Sequence, residues 1–264
     1  MNFKSELYHI AEAIDAFPPY VFKFRHDFKF DEWKPKVEQY LNDVDELTKA
    51  NNLDDPEEGG GSTSVHFNFP NKNLKNFSWH GNEEEYGKTH IYGLPSQWPE
   101  LKDFYNHLDH ILHMVQREWG SDPAWRRFCC ENWINRHPKG AWTTEHHHQN
   151  AAFATVAYLE LPPGSGYLEV RNPLENLKKG ETIAGNFWDQ EKHWGQIECE
   201  SNDVLIFPGW LSHRTQKNFT DNNRYVLSSN FQFLTKNPNE VFARNDSKPP
   251  APPENLDFML GSYS

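Results

Sequence analysis

Between residues 125 and 235 the chain is a series of short apolar runs broken by tight turn signals, and this rhythm limits the fold more than any other feature. Strand-like runs are read over 127–135, 145–150, 153–161, 166–171, 195–200, 203–207 and 225–234, with β-branched and aromatic residues prominent among them. Between them stand Pro138-Lys139-Gly140, Pro162-Pro163-Gly164-Ser165-Gly166 and Ser201-Asn202-Asp203, residue types that set turn backbones. Many short strands with short turns predict a double-sheet jelly roll. The stretch Asn172 to Trp194 interrupts the rhythm: it is long and charged and ends in a cluster with Phe187, Trp188, His193 and Trp194. It reads as a loop over the mouth of the barrel, placed to act as a lid or to cap the core.

The first 124 residues have a different texture. Ser5 to Phe17 reads as a short amphipathic helix stopped by Pro18-Pro19, and Tyr20 to Phe28 alternates like a strand. From Asp31, apolar residues recur every three or four positions at Trp33, Val37, Leu41, Val44 and Leu47. Trp98 to Trp119 repeats that pattern with Leu101, Phe104, Leu108, Ile111, Leu112 and Val115. His66 to Phe69 reads as a short strand, and Asn51 to Gly61 as a polar loop. The class is α+β, mainly β: a jelly-roll core with N-terminal supporting helices. One domain over 1–264 is expected, with mixed support over 1–124, the core over 125–235 and an extended Pro-rich tail over 245–264.

Chemistry concentrates at Glu145-His146-His147-His148-Gln149, just before the apolar run Ala151 to Leu161. In an extended strand, alternation sends His146 and His148 to one face and His147 and Gln149 to the other. His213 follows a second apolar run, Asp203 to Phe207, and Arg224 lies eleven residues beyond it. Neutral imidazole is the commonest metal ligand, and His146, His148 and His213 are the candidate set. A shift of one residue would instead present His147 with Gln149, a poor ligand. His107, His110 and His113 share a helix, but steps of three drift by about 60° per step, which suits a solvated face. His137 reads as a loop residue. Cys129 and Cys130 read as strand core, with no further cysteine at metal spacing.

Composition narrows the partners. A net charge of −12 argues against nucleic-acid and membrane-surface binding, both of which need a basic patch. Three cysteines without an even framework, an N-terminus lacking a signal-like apolar core and no run of membrane-spanning length fit the cytoplasm. Aromatic residues make up 15% of a very polar chain, which suits the core and rim of a β-rich pocket.

Taken together, Asn132-Trp133-Ile134-Asn135 through Gly140, His146-x-His148, Val156-Ala157-Tyr158-Leu159, the PPGSG turn, Arg171-Asn172-Pro173, Leu205-Ile206-Phe207-Pro208 up to His213, and Arg224 through Asn230-Phe231 resemble the iron(II)- and 2-oxoglutarate-dependent oxygenases. The resemblance covers about 125–235 and is to the prolyl 4-hydroxylase-like members found in marine bacteria and their phages; its specific part is the order His, turn, Phe-Pro, His, Arg. It implies a double-stranded β-helix around one iron(II), with 2-oxoglutarate as cosubstrate and O2 as oxidant, acting as a dioxygenase on a small-molecule or peptidyl substrate. Three protein ligands leave open positions for the cosubstrate and O2. Arg224 would grip the far carboxylate with a planar fork, or serve as a structural ion-pair partner. Tyr158 and Asn135 would add hydrogen bonds to that carboxylate, or be satisfied core polar groups.

Two departures qualify the likeness. The wider superfamily uses His-x-Asp or His-x-Glu, whereas the residues two after His146, His147 and His148 are His148, Gln149 and Asn150. Val226 stands where many relatives place Ser. An all-imidazole centre keeps two other readings open: a cupin-like three-His dioxygenase that needs no 2-oxoglutarate, and a non-catalytic metal- or ligand-binding jelly roll.

Overall fold

The computed structural model describes residues 20–50, 59–65, 95, 98–121, 126–149, 151–173 and 193–234. The expected helix over 5–17, the strand over 66–69, most of the 51–61 loop, the 174–192 part of the long loop and the tail lie outside the described residues.

The described elements begin with β1 (Phe22–Arg25), α1 (Phe30–Ala50) and β2 (Ser62–Thr63). A 3-10 turn over Pro99–Leu101 then leads into α2 (Lys102–Glu118). There follow β3 (Arg126–His137), β4 (Phe153–Glu160), β5 (Leu168–Arg171), β6 (Trp194–Ile197), β7 (Asp203–Pro208), β8 (His213–Thr215) and β9 (Arg224–Leu234). They form a six-stranded sheet in the order β1-β7-β4-β9-β3-β2 and a three-stranded sheet in the order β6-β5-β8. Every pairing is antiparallel. This is the jelly-roll arrangement expected.

Alternation along β9 divides the large sheet into two faces. Tyr225, Leu227 and Phe231 join the core beneath the helices, together with Val37, Leu41 and Val44 of α1 and Phe104, Leu108 and Leu112 of α2. Val226 joins a second core between the sheets, with Ala154, Val156 and Tyr158 of β4, Leu205 and Phe207 of β7 and Leu168 of β5. β4 and β7 therefore have apolar neighbours on both faces and read as continuous apolar runs rather than alternating ones. Burying one such Leu stabilises by roughly 1.5–3 kcal/mol, so both cores hold the sheet strongly.

The helices end and attach through specific contacts. At the end of α2, Gly120 adopts φ +72°. Its N–H reaches Arg117 O and the Ser121 N–H reaches Gln116 O, both at 3.0 Å, a Schellman closure that only Gly enters without strain. α1 is tied to the sheet by Arg136, which donates to Glu38 at 2.6 Å and Asp45 at 2.9 Å, and by the Tyr225 hydroxyl, which donates to Glu38.

Several element boundaries differ from the sequence reading. The described part of the run expected over 145–150, residues 145–149, is not a strand; within it only His146 pairs, in a single bridge with His213. His137 is the last residue of β3 and is buried, not a loop residue. β6 begins at Trp194, so the long loop ends earlier than expected. β8 has no signature in the sequence because three residues carry no period of their own; its pairing with β5 defines it.

Candidate metal centre

His213 opens β8 on the inner face, and its neighbour is brought by the backbone. His146 N–H donates to His213 O at 3.0 Å and His213 N–H to His146 O at 2.9 Å. Two residues on, His148 N–H donates to Gly209 O at 2.8 Å, docking the segment on the β7–β8 turn. Gly209 is required there, because a Cβ would stand 2.2 Å from Ala151 O. The bridge and the docking bond do for His146 and His148 what a full strand was expected to do. The ligand-bearing atoms of His146, His148 and His213 lie within 4.8 Å of one another, while His147 is exposed.

The rings are oriented from behind. His146 Nδ1 lies 2.9 Å from Thr144 O and His213 Nδ1 lies 2.8 Å from Leu211 O. A carbonyl only accepts, so each Nδ1 carries the proton and each Nε2 keeps its lone pair for a cation. His148 Nδ1 lies 3.2 Å from the Asn230 amide. Phe207 packs edge-on against His213 at 4.7 Å between centroids, and Trp133 lies 5.8 Å from His148. Burial, then repulsion from His146 and His147, lowers the His148 pKa to about 3. Burial and the His146 and His148 rings hold His213 well below the ordinary range. For His148 and His213 the fold thus favours the neutral ring, the form that binds a metal. Three imidazoles suit iron(II) or another borderline divalent ion.

The other candidate residues lie deeper on the same inner face. Arg224 is fully buried, donating from Nη1 to Ser165 O at 2.6 Å and to Gly166 O and Gln216 O at 3.1 Å, and from Nη2 to Thr215 Oγ1 at 3.0 Å. It thus clamps the PPGSG turn to the end of β8. The Tyr158 hydroxyl accepts from Leu168 N–H at 3.1 Å, and burial pushes its pKa up against the opposing pull of Arg224. Asn135, opposite Val226, accepts from Thr63 Oγ1 at 2.6 Å. His137, opposite Arg224, lies 3.1 Å from Thr143 Oγ1. Reading the residues singly missed Asn230, Glu131 and Trp133. The period-two rows Glu131-Trp133-Asn135-His137 and Arg224-Val226-Ser228-Asn230 mark them, once β3 and β9 are known to be paired.

Other titratable groups stand apart. His107 meets His26 at 3.3 Å, and burial raises the Cys129 pKa to about 12. Trp194, expected at the mouth of the barrel, lies against Arg214 at 4.0 Å.

Residues 131–230 match the model of a protein family described as "Putative 2OG-Fe(II) oxygenase". Among curated proteins none matches the chain in sequence. Solved structures similar to it include a 2OG-Fe(II) oxygenase family oxidoreductase from Burkholderia pseudomallei, at 16% identity over 51% of this chain and 58% of that one, with a TM-score of 0.37. A prolyl-4-hydroxylase from Pseudomonas putida is similar at 11% identity over 81% of this chain and 92% of that one, with a TM-score of 0.43. HygX from Streptomyces hygroscopicus, solved with nickel and 2-oxoglutarate, is similar at 11% identity over 88% and 86%, with a TM-score of 0.46. The similarity spans less than two thirds of the Burkholderia oxidoreductase and of the epimerase SnoN. Among the described residues, no helix is long and apolar enough to cross a membrane.

Proposed function

We propose that the protein is a dioxygenase of the hydroxylase type, coupling oxidative decarboxylation of 2-oxoglutarate to succinate with oxidation of a small-molecule or peptidyl substrate. The observation that carries this reading is the convergence of His146, His148 and His213 within the segment that matches the oxygenase family. These three residues would hold iron(II) through nitrogen. When bound, the metal would supply the site for 2-oxoglutarate and O2. Arg224 would give charge to the far carboxylate of 2-oxoglutarate, with Tyr158 and Asn135 as further hydrogen-bonding groups beside it. Phe207 and Trp133 would keep water from the rings.

The specific observation favouring a second reading is Arg224 itself, whose guanidinium already serves three carbonyls and a hydroxyl. If those bonds are its whole role, the centre is a three-His dioxygenase that takes its substrate without 2-oxoglutarate. Anaerobic addition of iron(II) and then 2-oxoglutarate separates the two. A visible charge-transfer band that needs both, followed by one succinate per 2-oxoglutarate in air, supports the first reading. Iron binding without the band sinks it.

A further inference from the structure

The three imidazoles differ in what meets the nitrogen facing away from the centre. For His146 and His213 it is a backbone carbonyl; for His148 it is the Asn230 side chain. A ring that binds through Nε2 must carry its proton on Nδ1 and needs an acceptor there. The main chain guarantees that acceptor twice. An amide can donate or accept, so its direction decides whether His148 is a ligand.

Glu131 meets the same amide nitrogen, in contact with Asn230 Nδ2. It reaches this face through an irregularity: the β3–β9 register shifts between Cys129 and Glu131, so that Cys129 pairs with Phe231 and Glu131 with Asn230. Cys129 therefore joins the helix-side core while Glu131, two residues on, points inward. Bulges of this kind re-aim side chains beside sites. With Nδ2 toward both neighbours, Asn230 Oδ1 is buried and has no hydrogen-bond partner among the described residues. Turned over, the amide occupies nearly the same volume, and Oδ1 accepts from His148 Nδ1–H and from the Glu131 carboxyl. Burial holds that carboxyl above its ordinary range, toward the form that donates.

We propose that Asn230 is the positioning residue for His148, presenting its amide oxygen to Nδ1–H so that Nε2 faces the metal, and that Glu131 holds the amide in that direction. The inference rests on the metal centre proposed above.

The test is cobalt(II) titrated into the metal-free full chain and followed by its d–d absorption. Asn230→Leu should weaken binding by about 10–100-fold, the usual effect of losing a partner behind a ligand. Asn230→Asp, which keeps an acceptor, should restore most of it. Glu131→Gln, whose amide donates as the protonated carboxyl does, should stay near wild type, while Glu131→Leu weakens binding. The Asn230→Leu/Glu131→Leu double variant should be no weaker than Asn230→Leu alone, since Glu131 acts through Asn230. Wild-type protein loaded with zinc(II) gives a reading that needs no variant to fold: the His148 Nδ1 proton should appear in NMR as a slowly exchanging, hydrogen-bonded resonance. Wild-type affinity in Asn230→Leu, Asn230→Asp no better than Asn230→Leu, or free exchange of that proton each overturns the inference alone. A wild-type chain that takes up no cobalt(II) overturns the proposed metal centre, and this inference with it.

Discussion

His147 and His213 make the clearest test at the scale of single residues. His213 is buried with its Nδ1 fixed by Leu211 O, whereas His147 is exposed beside the cluster. His213→Ala should lose most bound metal and His147→Ala should keep it, as read by metal content after reconstitution. Equal losses would mean that the three rings are not the ligand set. Arg224→Lys keeps a buried cation but loses the planar fork that serves Ser165, Gly166, Gln216 and Thr215. Its thermal midpoint should fall, and its affinity for 2-oxoglutarate should drop by about 1.5–3 kcal/mol while iron stays bound. A lower midpoint with an unchanged 2-oxoglutarate titration assigns Arg224 to the fold alone. The residue types in the His run were legible in the sequence because few reasons exist for imidazoles two apart beside an apolar strand. Thr144 O, Leu211 O and Asn230 were not, because a backbone carbonyl has no signature in a sequence and Asn230 reaches His148 only through folding.

At the scale of elements, helices were easier to read than short strands. α1 and α2 bury residues at the three- and four-residue spacing seen in the sequence, a local pattern that needs no partner to be recognised. β8 exists because Val170 pairs with His213 and Leu168 with Thr215, a long-range fact. The seam between α2 and the segment after β1 gives a prediction of its own. His26 and His107 bring their Nδ1 atoms to 3.3 Å, and the His26 ring lies against Phe28 and Phe104. Burial, then His107, lowers the His26 pKa, outweighing the pull of Asp27 and Asp103. The folded state therefore favours neutral His26, and the unfolded chain takes up its proton first as pH falls below about 6.5. Its contribution to stability is complete above that pH and is lost on acidification toward the lowered folded value. The thermal midpoint should fall between pH 7 and pH 5, and His26→Gln should make that decline shallower. Parallel curves for the two proteins would show that the seam does not titrate.

For the whole molecule, the large sheet is a wall between two environments, and neighbouring residues on one strand serve different ones. Ile206 joins the core beneath the helices, while the next residue, Phe207, packs against His213. The helical layer can then carry much of the stability without touching the centre. Leu108 of α2 is wholly buried in the helix-side core, and Leu108→Ala should cost about 2–5 kcal/mol, the range for a large-to-small change at a packed site. The loss should appear as a lower thermal midpoint. At a temperature where the variant is still folded, cobalt(II) should bind with the stoichiometry and affinity of the wild type, because Leu108 lies in the core on the helix side of the large sheet while the imidazoles are carried by β8 of the smaller sheet and the segment bridged to it. A tenfold loss of metal affinity in the folded variant would mean that the two faces are mechanically coupled, with displaced outer residues of β7 or β9 carrying Phe207 or Asn230 out of place. Unchanged binding with a lowered midpoint is the expected result, and it would place the helices as support for the sheet rather than as part of the site.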